Sequence, residues 1–113
     1  MADKPSRAEQ LLGGFAPKMV ELTDDVLFGD VWKRPGLCPR DRSLVTVAAL
    51  AATHRPDQLN SHLCLALQNG LTQEELVEAL THLAFYAGWP SGIGALLQLK
   101  TIAAEASSAG PGD

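Results

Sequence analysis

Wherever apolar and polar positions alternate regularly along this chain, they do so at helical spacing. Leu59, Leu63, Ala66 and Leu67 recur every three or four residues, and Ile93, Leu96, Leu97, Leu99 and Ile102 repeat the pattern further on. Each group therefore falls on one face of a helix. From Leu44 to Ala52 the chain reads Leu-Val-Thr-Val-Ala-Ala-Leu-Ala-Ala, apolar on almost every face, and a helix of that kind is expected to be buried all round. No stretch has the period of two that a strand requires.

Breakers and caps divide the pattern into elements. A first helix is expected over Ser6 to Leu12, ended by Gly13-Gly14, and a short second one over Pro17 to Leu22. Thr23 is a suitable N-cap for a third, running to about Trp32, after which Arg34-Pro35-Gly36 forces a turn. Pro39 opens the next helix, with Cys38 at the cap and Asp41 in the first turn, where its charge suits the helix dipole. That helix runs to about Thr53. Pro56 opens another, closed by Gly70. Thr72-Gln73-Glu74-Glu75 is a capping box, so a helix to about Tyr86 is expected. Gly88-Trp89-Pro90 breaks it, and Ser91 is placed to cap a last helix to about Ala106. The expectation is an all-α, single-domain bundle of five to six helices spanning residues 1–113, with a folded core from about 6 to 106 and frayed termini.

Composition narrows the function. The chain has 113 residues, enough for one domain, with 46% hydrophobic and 19% charged residues and a net charge of -4. Mild acidity opposes nucleic acid and anionic membranes, which bind clustered Lys and Arg. The longest apolar run is about half of the ~20 residues that cross a bilayer. Two cysteines, Cys38 and Cys64, are too few for a disulfide framework, and Met1 to Pro5 lacks an apolar signal region, so a cytoplasmic location is expected. A helix apolar on every side, beside another nearly so, needs more cover than so small a subunit provides. The expected cover is further copies in a closed homo-oligomer.

Three stretches, with their order and spacing, resemble the carboxymuconolactone decarboxylase family: Gly29-Asp30-Val31-Trp32-Lys33-Arg34-Pro35-Gly36-Leu37, then Arg40-Asp41-Arg42-Ser43-Leu44-Val45-Thr46, then His62-x-x-x-Ala66-x-x-x-Gly70 followed by the capping box. The likeness continues through Ala84-Phe85-Tyr86-Ala87-Gly88-Trp89-Pro90 and covers about Thr23 to Leu99. It implies a helical fold of the alkylhydroperoxidase D-like type, assembled as a trimer or hexamer. The peroxidase branch of that superfamily carries Cys-x-x-Cys-x-x-x-His and a Glu on the preceding helix. Laid over this chain, the His falls at His62, the cysteines at Arg55 and Gln58, and the Glu at Ser43. Without the cysteine pair, disulfide-cycling reduction has no attacking and resolving thiol.

The resemblance therefore implies a cofactor-independent decarboxylase, of the kind used in degrading aromatic compounds. Its substrate would be a small carboxylated lactone such as 4-carboxymuconolactone, or a related cyclic acid. Loss of CO2 leaves a dienolate that must be stabilised and then protonated. His62 is the first choice for the proton. On the bare sequence the favoured reading is a core histidine bonded to a backbone carbonyl, and the resemblance reverses that preference. Arg42, and after it Arg40, are candidates for bidentate carboxylate recognition, against a salt bridge with Asp41 or across a subunit boundary. Arg34, Trp32 and Tyr86 match the family motifs. Arg34 reaches the same pocket or braces its turn, Tyr86 lines the pocket or packs in the core with its hydroxyl bonded, and Trp32 and Trp89 wall it or pack between subunits. His82 is better explained as exposed and paired with Glu78. His54, His62 and His82 show no metal-ligand spacing, and no metal is expected. Two rivals remain: a thiol-dependent peroxidase using Cys64 alone, although Cys64 points about 200° around the helix from His62, and a non-catalytic oligomeric binding module.

Overall fold

The computed structural model describes residues 4–108, all of whose regular structure is helical. The outer parts of the expected frayed termini, residues 1–3 and 109–113, lie outside the described residues. The chain forms two compact units that meet in sequence between Pro39 and Arg40.

The first unit holds α1 (Arg7–Leu12) and α2 (Pro17–Glu21), a π-helical turn over Leu22–Leu27 and a 3-10 turn over Val31–Lys33. Ser6 caps α1, accepting the N–H of Glu9, and its hydroxyl donates to Asp24 at 2.8 Å. The N-terminal stretch is thus tied down from Ser6 onward. The expected third helix with Thr23 as its N-cap is not formed. Thr23 instead donates its hydroxyl back to the carbonyl of Met19 at 2.8 Å, which continues α2 directly into the π turn. A Thr hydroxyl serves either end of a helix, and here the preceding turn was close enough to take it.

The second unit is a helical bundle of α3 (Pro39–Ala52), α4 (Pro56–Gln68), α5 (Gln73–Ala87) and α6 (Trp89–Ser108). Its core consists of Val47 and Ala51 from α3, Leu59, Leu63 and Ala66 from α4, Leu71, Leu76 and Leu80, and Ala95, Leu99 and Ile102 from α6. The three- and four-residue spacings are those of the sequence pattern. The capping box is present in full: Thr72 accepts the N–H of Glu75, and the Glu75 carboxylate accepts the N–H of Thr72.

Two expectations need correction. Ser91 does not cap α6, which starts two residues earlier at Trp89. Gly88 alone makes the break, at φ 109°, a conformation open in practice only to glycine, and Pro90 is tolerated because it lies in the first turn. Nor is α3 buried all round within one chain. Ser43, Val47 and Ala51 are buried, whereas Val45 is 62% exposed and Ala49 is exposed as well.

Candidate functional site

The α4 helix presents Leu59, Leu63 and Ala66 to the core, and His62, one turn from Leu59 and Ala66, stands half-buried beside them. Its Nδ1 atom is inaccessible to solvent. Burial pushes the His62 pKa down, because the charged imidazolium loses hydration that the apolar surroundings do not replace. The resting ring is therefore neutral at neutral pH, with one nitrogen able to accept a proton.

Arg42 lies in the first turn of α3, half-buried, with its Nε enclosed. Its backbone is held from two sides. Thr46 donates its hydroxyl to the Arg42 carbonyl at 2.8 Å. Next to it, the fully buried Ser43 hydroxyl accepts the side-chain amide of Asn69 at 2.9 Å, tying this turn to the end of α4.

Arg40 is differently placed. Its guanidinium pairs with Asp41 at 3.0 Å and with Glu75 from the capping box. The hydrogen bond and charge of Glu75 raise the Arg40 pKa above its ordinary value. The Glu75 carboxyl is held low, first by the backbone N–H of Thr72 and then by Arg40. Of the two readings of Arg40, the salt bridge to Asp41 is present, and its donors are already directed at carboxylates of the protein.

The remaining candidates separate. In the first unit Trp32 is half-buried and stacks on Phe28, with ring centres 5.6 Å apart, and Arg34 follows the 3-10 turn on exposed backbone. In the second unit His82 and Tyr86 come together, with ring centres 5.1 Å apart. The expected pair of His82 with Glu78 is absent among the described residues, since the ring leans toward Tyr86, one turn further along. Tyr86 is 81% exposed, so it is no core residue. Trp89 is exposed too, packed edge-on against Phe85. Cys64 is half-buried against the core, a poor position for a peroxide-reducing thiol.

The sequence reasoning passed over one arrangement. His54 Nε2 lies 3.0 Å from the Oγ of buried Ser91, at a cavity of about 310 Å³ whose lining includes Arg55, Leu50, Leu59 and Gln98. Neither His62 nor Arg42 lines this cavity. Its signal in the sequence was a histidine where a helix stop normally has glycine.

Residues 17–101 match the carboxymuconolactone decarboxylase family. The chain belongs to that family. Among its relatives is the 4-carboxymuconolactone decarboxylase of Acinetobacter baylyi, 38% identical over 97 residues, a match covering 86% of this chain and 72% of the relative. The nitrosuccinic acid decarboxylase of Metarhizium robertsii is 40% identical over 83 residues, covering 73% of this chain and 58% of that protein, less than two thirds of its length. The matched segment runs from the start of α2 into α6, and takes in every candidate residue described above.

Proposed function

We propose that this family member is a carboxy-lyase acting on a small acid whose leaving carboxylate adjoins an electron-accepting group, with 4-carboxymuconolactone as the leading candidate. Both relatives are named as decarboxylases, and for different acids. A conjugated lactone carbonyl takes up the electron pair as a dienolate, and a nitro group takes it up as a nitronate. The shared requirement is a site that holds a carboxylate and returns one proton to carbon.

The observation that carries this reading is His62, a half-buried imidazole with an enclosed Nδ1 and a lowered pKa beside the apolar face of α4. Arg42 holds the substrate carboxylate through its guanidinium. The negative charge of the bound acid raises the proton affinity of His62, which takes a proton from water. The bond to the carboxyl carbon breaks, CO2 departs, and the electron pair moves to the acceptor oxygen. His62 then delivers its proton to carbon and returns to the neutral state, so the cycle consumes one proton from solvent and no cofactor. Trp32, Arg34 and Tyr86 enter this proposal through their match to the family motifs, as pocket residues. Arg40 braces the start of α3.

The proposal includes a cytoplasmic homo-oligomer of three or six copies. Supporting it are the large apolar side chains that one chain leaves uncovered, among them Val45, Phe85, Tyr86, Trp89 and Leu97. The test follows ultraviolet absorbance and CO2 release from 4-carboxymuconolactone and from nitrosuccinate without added cofactor. CO2 release from at least one, lost in His62→Gln, is the expected result. No release from either, or undiminished release by the variant, overturns the proposal.

A further inference from the structure

Two helices of the second unit end in the same hydrogen-bonded closure, filled in different ways. After α4, the N–H of Leu71 bonds the carbonyl of Ala66 at 3.0 Å, and that of Gly70 bonds the carbonyl of Leu67 at 3.2 Å. The residue in the place of Gly70 must adopt left-handed backbone, and glycine does so freely, here at φ 108°. After α3, the N–H of Arg55 bonds the carbonyl of Leu50 at 3.0 Å and that of His54 bonds Ala51 at 3.3 Å. Here the left-handed position, φ 56°, is held by His54, the one described non-glycine residue with positive φ. A side chain in that conformation is strained, and such strain gathers at functional sites.

What distinguishes His54 from a glycine is the imidazole it carries to Ser91, a residue 4% exposed whose hydroxyl would otherwise be buried against helix. The pair borders the cavity of about 310 Å³, at the small end of ligand-binding pockets. Arg55 lines the same space and makes no ion pair among the described residues. The Gln98 amide is already committed to the Pro56 carbonyl at 2.9 Å. Leu50 and Leu59 supply apolar wall, and no acidic residue takes part in the lining.

Arg55, exposed and in no ion pair among the described residues, lines the same space as the Ser91 hydroxyl and the His54 imidazole, and a guanidinium in that company suits a carboxylate. The apolar wall selects a hydrocarbon body. With no carboxylate in the lining to orient the imidazole, the Ser91–His54 pair lacks the third member that acyl transfer uses, so the chemistry is binding.

We propose that this cavity is a binding site for a small organic monocarboxylate, separate from His62 and Arg42, with Arg55 holding the carboxylate, the His54–Ser91 pair bonding it, and Leu50 and Leu59 packing its body. The assignment does not depend on the decarboxylase reading, because binding is read without turnover.

The test is titration of the full-length protein with benzoate, followed by amide resonances in two-dimensional NMR. Saturable shifts are expected at Ser91, Gly94 and Ala95, weakened about tenfold or more in Arg55→Gln, which loses a charge-assisted hydrogen bond, and unchanged in His62→Ala. His54→Gly keeps the left-handed backbone accessible while removing the imidazole, so benzoate affinity should fall while the fold is retained. Absence of shifts at millimolar benzoate, equal binding by Arg55→Gln or by His54→Gly, or equal binding of uncharged benzyl alcohol would each overturn the site.

Discussion

The side-chain amide of Asn69 donates to the hydroxyl of Ser43 at 2.9 Å, joining two positions 26 residues apart at opposite ends of the α3–α4 hairpin. Ser43 is fully buried, so no water replaces a lost partner. Asn69→Ala should destabilise the fold by about 1–3 kcal/mol, the cost of stranding a buried hydroxyl. Asn69→Ala combined with Ser43→Ala should cost less than the sum of the two single changes, because both partners are then gone. Urea denaturation of the four proteins measures this coupling. Additive effects would show that the bond contributes nothing to holding the turn that carries Arg42.

Arg40 and Arg42 are two residues apart and should behave differently. Arg40 is already engaged by Asp41 and Glu75 on exposed surface, where ion pairs contribute little. Arg42 is half-buried, with its Nε enclosed. In the decarboxylation assay Arg42→Gln should raise KM about tenfold to a hundredfold, the worth of a charge-assisted hydrogen bond to a carboxylate. Arg40→Gln should change KM less than twofold or so, in line with an exposed pair. The reverse ranking would assign carboxylate recognition to Arg40.

Much of this was legible in the sequence, for physical reasons that differ by residue. Leu59, Leu63 and Ala66 repeat at helical spacing, and a periodic signal of that strength survives any tertiary context. The capping box is local chemistry, complete within Thr72 to Glu75. Ser91 was misread because a hydroxyl next to a helix start serves equally as a cap or as a partner for a distant side chain, and only the fold brings His54 within 3.0 Å. Thr23 failed for the same reason, its hydroxyl being claimed by Met19 behind it. For the candidate site, the sequence singled out His62 by its place on the α4 stripe, but no pattern could report that Arg40 would be taken by Glu75, 35 residues away.

The lowered pKa of His62 makes a prediction for stability. The unfolded chain binds a proton at this histidine near the ordinary value, whereas the folded chain resists it. As pH falls below about 6.5 the unfolded state gains the proton first, so stability contributed by the neutral ring is complete above that pH and declines until the folded state protonates too. Between pH 7.5 and 5.5 the urea midpoint of the wild type should fall, and that of His62→Gln should fall less. The window lies above the carboxylate range, so the depressed pKa of Glu75, whose contribution is lost only at lower pH, does not enter. Identical slopes for the two proteins would show that His62 is not held neutral by the fold.

Gly92 tests the packing that brings α5 and α6 together beyond the single-residue break at Gly88. A Cβ added at Gly92 would stand 2.5 Å from the Cβ of Ala84, closer than such atoms approach, and 3.1 Å from its Cα, a tight contact. Neither contact can yield by rotating a flexible side chain, since both atoms are fixed to helical backbone. Gly92→Ala would gain helix propensity of about 1 kcal/mol in an exposed setting. Here the forced separation of the helices should outweigh that gain, giving a net loss within the range of about 1–3 kcal/mol typical of overpacked cores. Ala84→Gly in the same chain removes the opposing Cβ and should recover part of the loss, although it adds a helix-destabilising glycine. Thermal melts of the wild type and the two variants decide the matter: a Gly92→Ala protein as stable as the wild type would mean that the two helices can move apart without cost.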